Sequence, residues 1–301
     1  MSARSGLPPR AVVVTRPSDY ELLLHRHGTR AQARFFLESR EQRLEPLEER
    51  HRVQEEALHA VLAAIPLDWR RARVLRPDLD RFLFEPEDVV VAVGQDGLVA
   101  NVAKYLHGQP VIGINPSKAL YDGVLVRHAP GRVGALLGAA AAGAPCEERT
   151  MVEASLPDGS RLVALNEIFL GHRSHQSARY TLAFQDTSER QSSSGLIVAS
   201  GTGATGWASS LALGRAGCPE LPSPWSRELV FLVREPWKSV ATSATLLHAR
   251  YGPDEALILR SEMNEGGVAF GDGIEDDHLD LPWGATVTVH AAGQALRLLT
   301  P

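Results

Sequence analysis

Three stretches of the 301-residue chain place small or polar residues where apolar strand-like runs stop. In the first, DVVVAVG (88–94) runs into Gly94-Gln95-Asp96-Gly97 and then LVANVAKYL, a helix-prone segment. Glycines at a strand-to-helix turn let backbone N–H groups approach an anion, and the helix N-terminus adds partial positive charge, so the turn suits a phosphate or a carboxylate. The same residues also read as a tight turn with Asp96 as helix N-cap. No Gly-Lys-Ser/Thr follows, and the spacing is not G-x-G-x-x-G, which excludes a Walker loop and a dinucleotide fingerprint. In the second stretch, RLVALNEIFL, Asn166 and Glu167 interrupt an apolar run. Adjacent strand residues face opposite sides, so one of the pair points inward unless the strand bulges or ends there. In the third, LIVAS (196–200) enters Gly201-Thr202-Gly203-Ala204-Thr205-Gly206 and then WASSLALG. Backbone amides and hydroxyls at such a turn can grip a polar ligand, and Trp207 offers an aromatic face.

The elements that must position these residues fall into two textures. AVVVT (11–15) is a β-branched run suited to a strand buried on both faces. Residues 19–65, rich in Glu, Arg, Leu and Ala, read as one or two amphipathic helices broken near Pro46, with their charge on the solvated face. Short strands at 74–76, 88–94 and 110–115, with a helix over 98–106, complete a strand–helix–strand alternation that implies a parallel sheet flanked by helices. After a small-residue helix over 131–143, the chain becomes short strands and turns, among them ARYTLAFQD, ELVFLV and ATVTVH, as expected of a mostly antiparallel β domain. The expected fold is thus an α/β N-terminal nucleotide-binding domain over 1–128, then a mostly β C-terminal domain over 129–301, with the active site in the crevice between them.

Composition excludes several classes. With 31 Lys+Arg against 36 Asp+Glu the net charge is −5, which argues against a general nucleic-acid binder, since that needs a concentrated basic face. GALLGAAAAGAP is far shorter than the roughly 20 residues that span a bilayer, and MSARSGLPPR has no apolar segment of the signal-peptide kind behind it. Cys146 and Cys218, the only cysteines, sit in no zinc-type pattern and suit a reducing, cytoplasmic setting. His172 and His175 are spaced His-x-x-His on an expected loop, with no third ligand near them in sequence.

GQDG, PVIGIN, ALNE and GTGATGW, in that order and over nearly the whole chain, resemble the NAD kinase family, whose motifs read GGDG, PxxGIN, NE or ND, and TPTGSTAY. The opening strand and the helical region with LEPLEERHRVQEEAL are similar to the mitochondrial-type branch and its bacterial relatives. That resemblance implies transfer of the ATP γ-phosphate to the adenosine ribose 2′-hydroxyl of NAD, with Mg²⁺ carried by ATP and no direct protein ligand. It also implies small-molecule nucleotides as partners and a homodimer or homotetramer assembled through the β domain. Asp96 becomes the catalytic carboxylate. Gly94, Gln95, Gly97, Asn166 and Glu167 become phosphate- and nucleotide-binding residues, whereas Thr205, Gly206, Trp207 and Ser210 contact the adenine end of the acceptor. Gly271-Asp272-Gly273 matches the family's C-terminal Asp-Gly turn, a motif that any hairpin carries. Gln95 stands where the family has a second glycine, Leu98 where it has threonine, and PSKALYDGVLVR replaces its usual Gly-Phe-Leu. These departures leave open a kinase of another hydroxyl acceptor (sugar, nucleoside or lipid) and a non-catalytic NAD- or ATP-binding sensor.

Overall fold

The structure, a computed structural model, describes residues 8–119 and 123–300. The chain divides into two compact units, 1–147 with 297–301, and 148–296. Leu120, Tyr121 and Asp122 of the PSKALYDGVLVR segment lie outside the described residues, as does the start of MSARSGLPPR.

The first unit is a parallel sheet. Its strands are β1 (Arg10–Thr15), β2 (Arg70–Leu75), β3 (Asp88–Val93) and β4 (Pro110–Ile114), in the order β2-β1-β3-β4. The end of the chain's last strand, at Arg297 and Leu298, adds in parallel beside β4. The helices are α1 (Asp19–His27), α2 (Arg30–Glu38), α3 (Glu45–Ala64), α4 (Asp96–Ala103) and α5 (Val133–Ala141). Ala11, Val13, Val89, Val91 and Ile112 pack with Leu58 and Val61 of α3 and Leu136 and Leu137 of α5. The alternate residues Val12, Val14, Val90 and Ala92 are just as buried. Burial of both faces explains why these strands are unbroken apolar runs.

The helical region differs from the sequence expectation. It holds three helices, and Pro46 breaks none of them. Pro46 lies in the first turn of α3, where a missing N–H costs no hydrogen bond. The real breaks are Gly28, which ends α1 at φ 78°, and the stretch from Ser39 to Leu44.

The second unit is a sandwich of antiparallel strands. After β5 (Cys146–Ser155) and β6 (Arg161–Ala164), which pair with each other, come β7 (Glu167–His172), β8 (Ala178–Phe184), β9 (Thr187–Ser193) and β10 (Leu196–Ser200). The short helix α6 (Trp207–Ala212) leads to β11 (Leu229–Val233), β12 (His248–Tyr251), β13 (Leu257–Ser261), β14 (Gly267–Gly271), β15 (Ile274–Asp280) and β16 (Thr286–Leu299). One layer runs β12-β11-β10-β7-β14-β15, and the other contains β16-β13-β8-β9. Alternation decides what each strand residue touches. Ile168, Leu170, Leu196, Val198 and Phe231 meet Tyr180, Leu182, Leu259 and Val287 between the layers. Phe169, Ile197, Ala199 and Val230, one residue out of phase, pack with Ala208 and Trp207 of α6 on the outer face.

Candidate active site

In the first unit, β3 delivers Gly94 to the mouth of the sheet, where its N–H donates to the Ile114 carbonyl (3.0 Å). Gln95 is the N-cap of α4, with φ −99° and ψ 164° and no side-chain cap bond. That extended backbone is open to any residue, so this turn does not require glycine where the family motif has one. Asp96 is the first residue of α4 rather than its N-cap, which corrects the capping alternative. Its carboxylate leaves the helix end to accept three backbone N–H groups: Val124 (2.9 Å) on Oδ2, and Leu125 (2.8 Å) and Val126 (2.9 Å) on Oδ1. A carboxylate has about four lone-pair positions, so one on Oδ2 is left for a further donor. A Cβ added at Gly97 would meet nothing within 4 Å, so neither packing nor φ demands glycine there.

PVIGIN is what seats this clasp. A Cβ on Gly113 would lie 2.1 Å from the Leu125 carbonyl oxygen, a distance no side chain tolerates. Only glycine lets the 123–126 segment pass close over β4 and aim its amides at Asp96. Asn115 accepts from the Ser117 N–H (2.9 Å), and Gly123, at φ 72°, sits against its side-chain nitrogen. Arg127 holds the same segment by donating to Val124 O (2.6 Å) and pairing with Glu147 (2.8 Å).

In the second unit three motifs converge on Asn166. RLVALNEIFL is two strands, so the strand ends before Asn166, one of the alternatives its pattern left open. Asn166 falls between β6 and β7, and the Asp272 carboxylate breaks the ladder by taking the N–H groups of Leu165 (2.8 Å) and Asn166 (2.7 Å), with Glu167 at 3.4 Å. The Asp272 N–H returns a bond to the Glu167 carbonyl (3.1 Å). The weak Gly271-Asp272-Gly273 match is therefore the clasp of this site. Asp272 is buried and sits at φ 52°, a conformation that Asp and Asn tolerate better than most residues. From the other side the glycine-rich turn closes in. A Cβ on Gly203 would lie 2.1 Å from the Asn166 carbonyl oxygen, and one on Gly201 would lie 1.8 Å from that of Ser223. Ser200 ties the two motifs together, its N–H donating to Asn166 O (2.9 Å) and its hydroxyl to Leu165 O (2.5 Å).

With their backbones so fixed, the Asn166 amide and the Glu167 carboxylate have no side-chain hydrogen-bond partner among the described residues. Burial, and secondly the negative charge of Asp272, push the Glu167 carboxyl up to about 7. Folded Glu167 therefore holds its proton where an unfolded glutamate has lost it. The stability it contributes is complete below pH 4.5 and is lost as pH rises towards 7, a fall of about 3 kcal/mol. We expect Glu167→Gln, which cannot ionise, to remove that fall. Urea unfolding at pH 5 and pH 8 on both proteins measures it, and equal slopes would refute the assignment.

Thr205 and Gly206 are exposed on the turn, with Thr205 Oγ1 bonded to Thr202 O (3.0 Å). Ser210 is exposed on α6. Trp207 stacks on Phe169 (centroids 6.1 Å, planes 16° apart), and the Arg234 guanidinium lies over both rings, at 5.2 Å and 5.9 Å. These residues wall a cavity of about 460 Å³ together with His172, Phe270 and His278. Arg234 Nε and His172 Nε2 are buried in this unit without a hydrogen-bond partner. Neither Arg234 nor Phe169 stands out in the sequence, because a polar residue just after an apolar strand and an alternate strand residue carry no distinctive signal. His172 bonds Ser174 through Nδ1 and joins no cluster of three metal-ligating side chains among the described residues.

No protein-family model matches the sequence, and no curated protein sequence does. Solved structures do. An NAD kinase from Archaeoglobus fulgidus in complex with ATP aligns over 97% of this chain and 93% of its own, with TM-score 0.57 and 20% identity. Yeast NADH kinase complexed with NADH aligns over 98% of this chain and 84% of its own, with TM-score 0.61 and 14% identity. The chain has the NAD kinase fold. Within that fold, GQDG ends the third strand of the parallel sheet, whereas ALNE, GTGATGW and FGDG share one junction of the sandwich. No helix among the described residues is long and apolar enough to cross a membrane.

Proposed function

We propose that the chain is an NAD kinase that transfers the γ-phosphate of ATP to the adenosine ribose 2′-hydroxyl of NAD, giving NADP and ADP. The observation that supports this reading is the coincidence of motif and fold. Four ordered motifs, three at turns and PVIGIN along β4, lie in a chain built like an ATP-bound NAD kinase and an NADH-bound kinase.

In this reading the Gly94–Gly97 turn carries the donor phosphates. Gly97 leaves open space beside the first turn of α4, where backbone amides and the helix dipole favour an anion. Asp96, held by three amides, keeps one lone pair on Oδ2 for the acceptor hydroxyl. The 2′-oxygen bonds the γ-phosphorus, the bond from that phosphorus to the β,γ-bridging oxygen breaks, and the proton passes to Asp96. Such chemistry is mostly positioning and charge stabilisation. The turn offers a single, already engaged carboxylate, so Mg²⁺ would be held through the triphosphate rather than by this chain and would supply neutralisation of the phosphate charge. Asn166 and Glu167 offer unpaired polar groups to ribose hydroxyls. Thr205, Gly206, Trp207 and Ser210 take the adenine end, where the aromatic cavity supplies a stacking face.

A cytoplasmic homodimer or homotetramer completes the reading. Its test is formation of NADP by the purified chain from NAD, ATP and Mg²⁺. Phosphorylation of a different hydroxyl compound would move the acceptor, and binding of NAD without turnover would make the chain a sensor.

A further inference from the structure

We propose that Glu21, His51 and Glu55 form a zinc-binding site that bridges α1 and α3, independent of the phosphoryl-transfer reading. His51 and Glu55 are four residues apart on α3 and so project from one face of that helix, while Glu21 comes from the first turn of α1. Their ligand atoms all lie within 4.8 Å of one another, and His51 Nδ1 is 3.8 Å from Glu21 Oε2.

Helix capping explains only part of this cluster. Ser18 caps α1 and donates its N–H (2.8 Å) and hydroxyl (2.9 Å) to Glu21 Oε2, and its hydroxyl also lies 2.9 Å from His51 Nδ1. The Glu55 carboxylate, half-buried beside this group, has no hydrogen bond or ion pair among the described residues. Two carboxylates held close together repel unless a cation joins them. Arg16 and Arg73 line the same cavity of about 430 Å³ as Glu21 and Glu55, yet neither pairs with them.

One imidazole nitrogen and two carboxylate oxygens are a donor set for a borderline divalent ion such as Zn²⁺; Mg²⁺ prefers oxygen and water. Glu21 and Glu55 face the cavity, so a fourth coordination position opens onto it, where Arg16 and Arg73 would favour an anionic or water co-ligand.

The full chain, stripped with a chelator, is titrated with ZnCl2 in a calorimeter and melted with and without the metal. One Zn²⁺ per chain and a raised Tm are expected, with no comparable response to MgCl2. Glu55→Gln removes a charge without breaking a bond in the protein, so it keeps the test decisive if His51→Ala disturbs the Ser18 cap. It is expected to weaken zinc binding about tenfold or more. No zinc binding, or zinc binding equally strong in Glu55→Gln, would overturn the site.

Discussion

Asp96→Asn is expected to lower turnover by more than about 100-fold, because loss of a catalytic base costs ~10²–10⁴ in rate. The structure adds a second expectation. The carboxylate is also the clasp of the 123–126 segment, where Leu125 and Val126 are buried. Asparagine presents an N–H₂ where one of the amides needs an acceptor. Asp96→Ala leaves two buried N–H groups without any acceptor, at a cost of at least about 2 kcal/mol. The two roles separate by measurement. Stopped-time assays of NADP report the chemistry, denaturant unfolding reports the clasp, and NAD calorimetry reports the acceptor site. A variant with normal turnover and reduced stability would make Asp96 a structural residue alone.

Asp272→Ala is expected to damage the second unit more than any change at the ligand-facing residues. It removes the acceptor for the Leu165 and Asn166 amides, and Leu165 is fully buried. Two unmade bonds to a charged acceptor amount to about 3 kcal/mol or more. With the junction loosened, the Asn166 and Glu167 side chains lose their fixed origin. NAD affinity should fall about tenfold or more, whereas Glu167→Gln should leave stability at pH 5 nearly unchanged. Loss of the Asp272 charge also removes one of the two influences that raise Glu167, so its titration should move down towards the ordinary carboxylate range. Thermal melting and NAD calorimetry of Asp272→Ala and Asp272→Asn provide the check, and unaltered stability in both variants would refute the clasp.

Much of the architecture was legible in the sequence because burial writes itself into periodicity. AVVVT and DVVVAV are uninterrupted because both faces of their sheet are buried. In the sandwich, LIVAS and LVFLV read only as apolar runs, since alternate residues are buried against two different partners. What escaped was set by partners distant in sequence. β2 is RRARVL, with a single buried valine, so the sequence shows a strand only at 74–76, and its start at Arg70 is set by pairing with β1. β9, TSERQSS, is a strand because β8 hydrogen-bonds along its length.

The candidate site divides the same way. Gly94, Asp96, Asn166 and the GTGATG turn announce themselves as polar or small residues ending apolar runs. The need for Gly113 and Gly203 arises from close backbone passage by Leu125 and Asn166, which no local pattern encodes. Asp272 reaches back 107 residues to hold Leu165, so its hairpin looked ordinary. Glu21, His51 and Glu55 belong to a stretch whose composition suggests only a solvated charged face, although the four-residue spacing of His51 and Glu55 is visible in it.

The central claim is tested most directly by incubating the purified chain with NAD, ATP and Mg²⁺ and resolving the products by chromatography with mass detection, Asp96→Asn alongside. The account predicts NADP and ADP in equal amounts from the wild type and almost none from the variant. Absence of NADP with intact NAD binding, or equal NADP from both proteins, would contradict it.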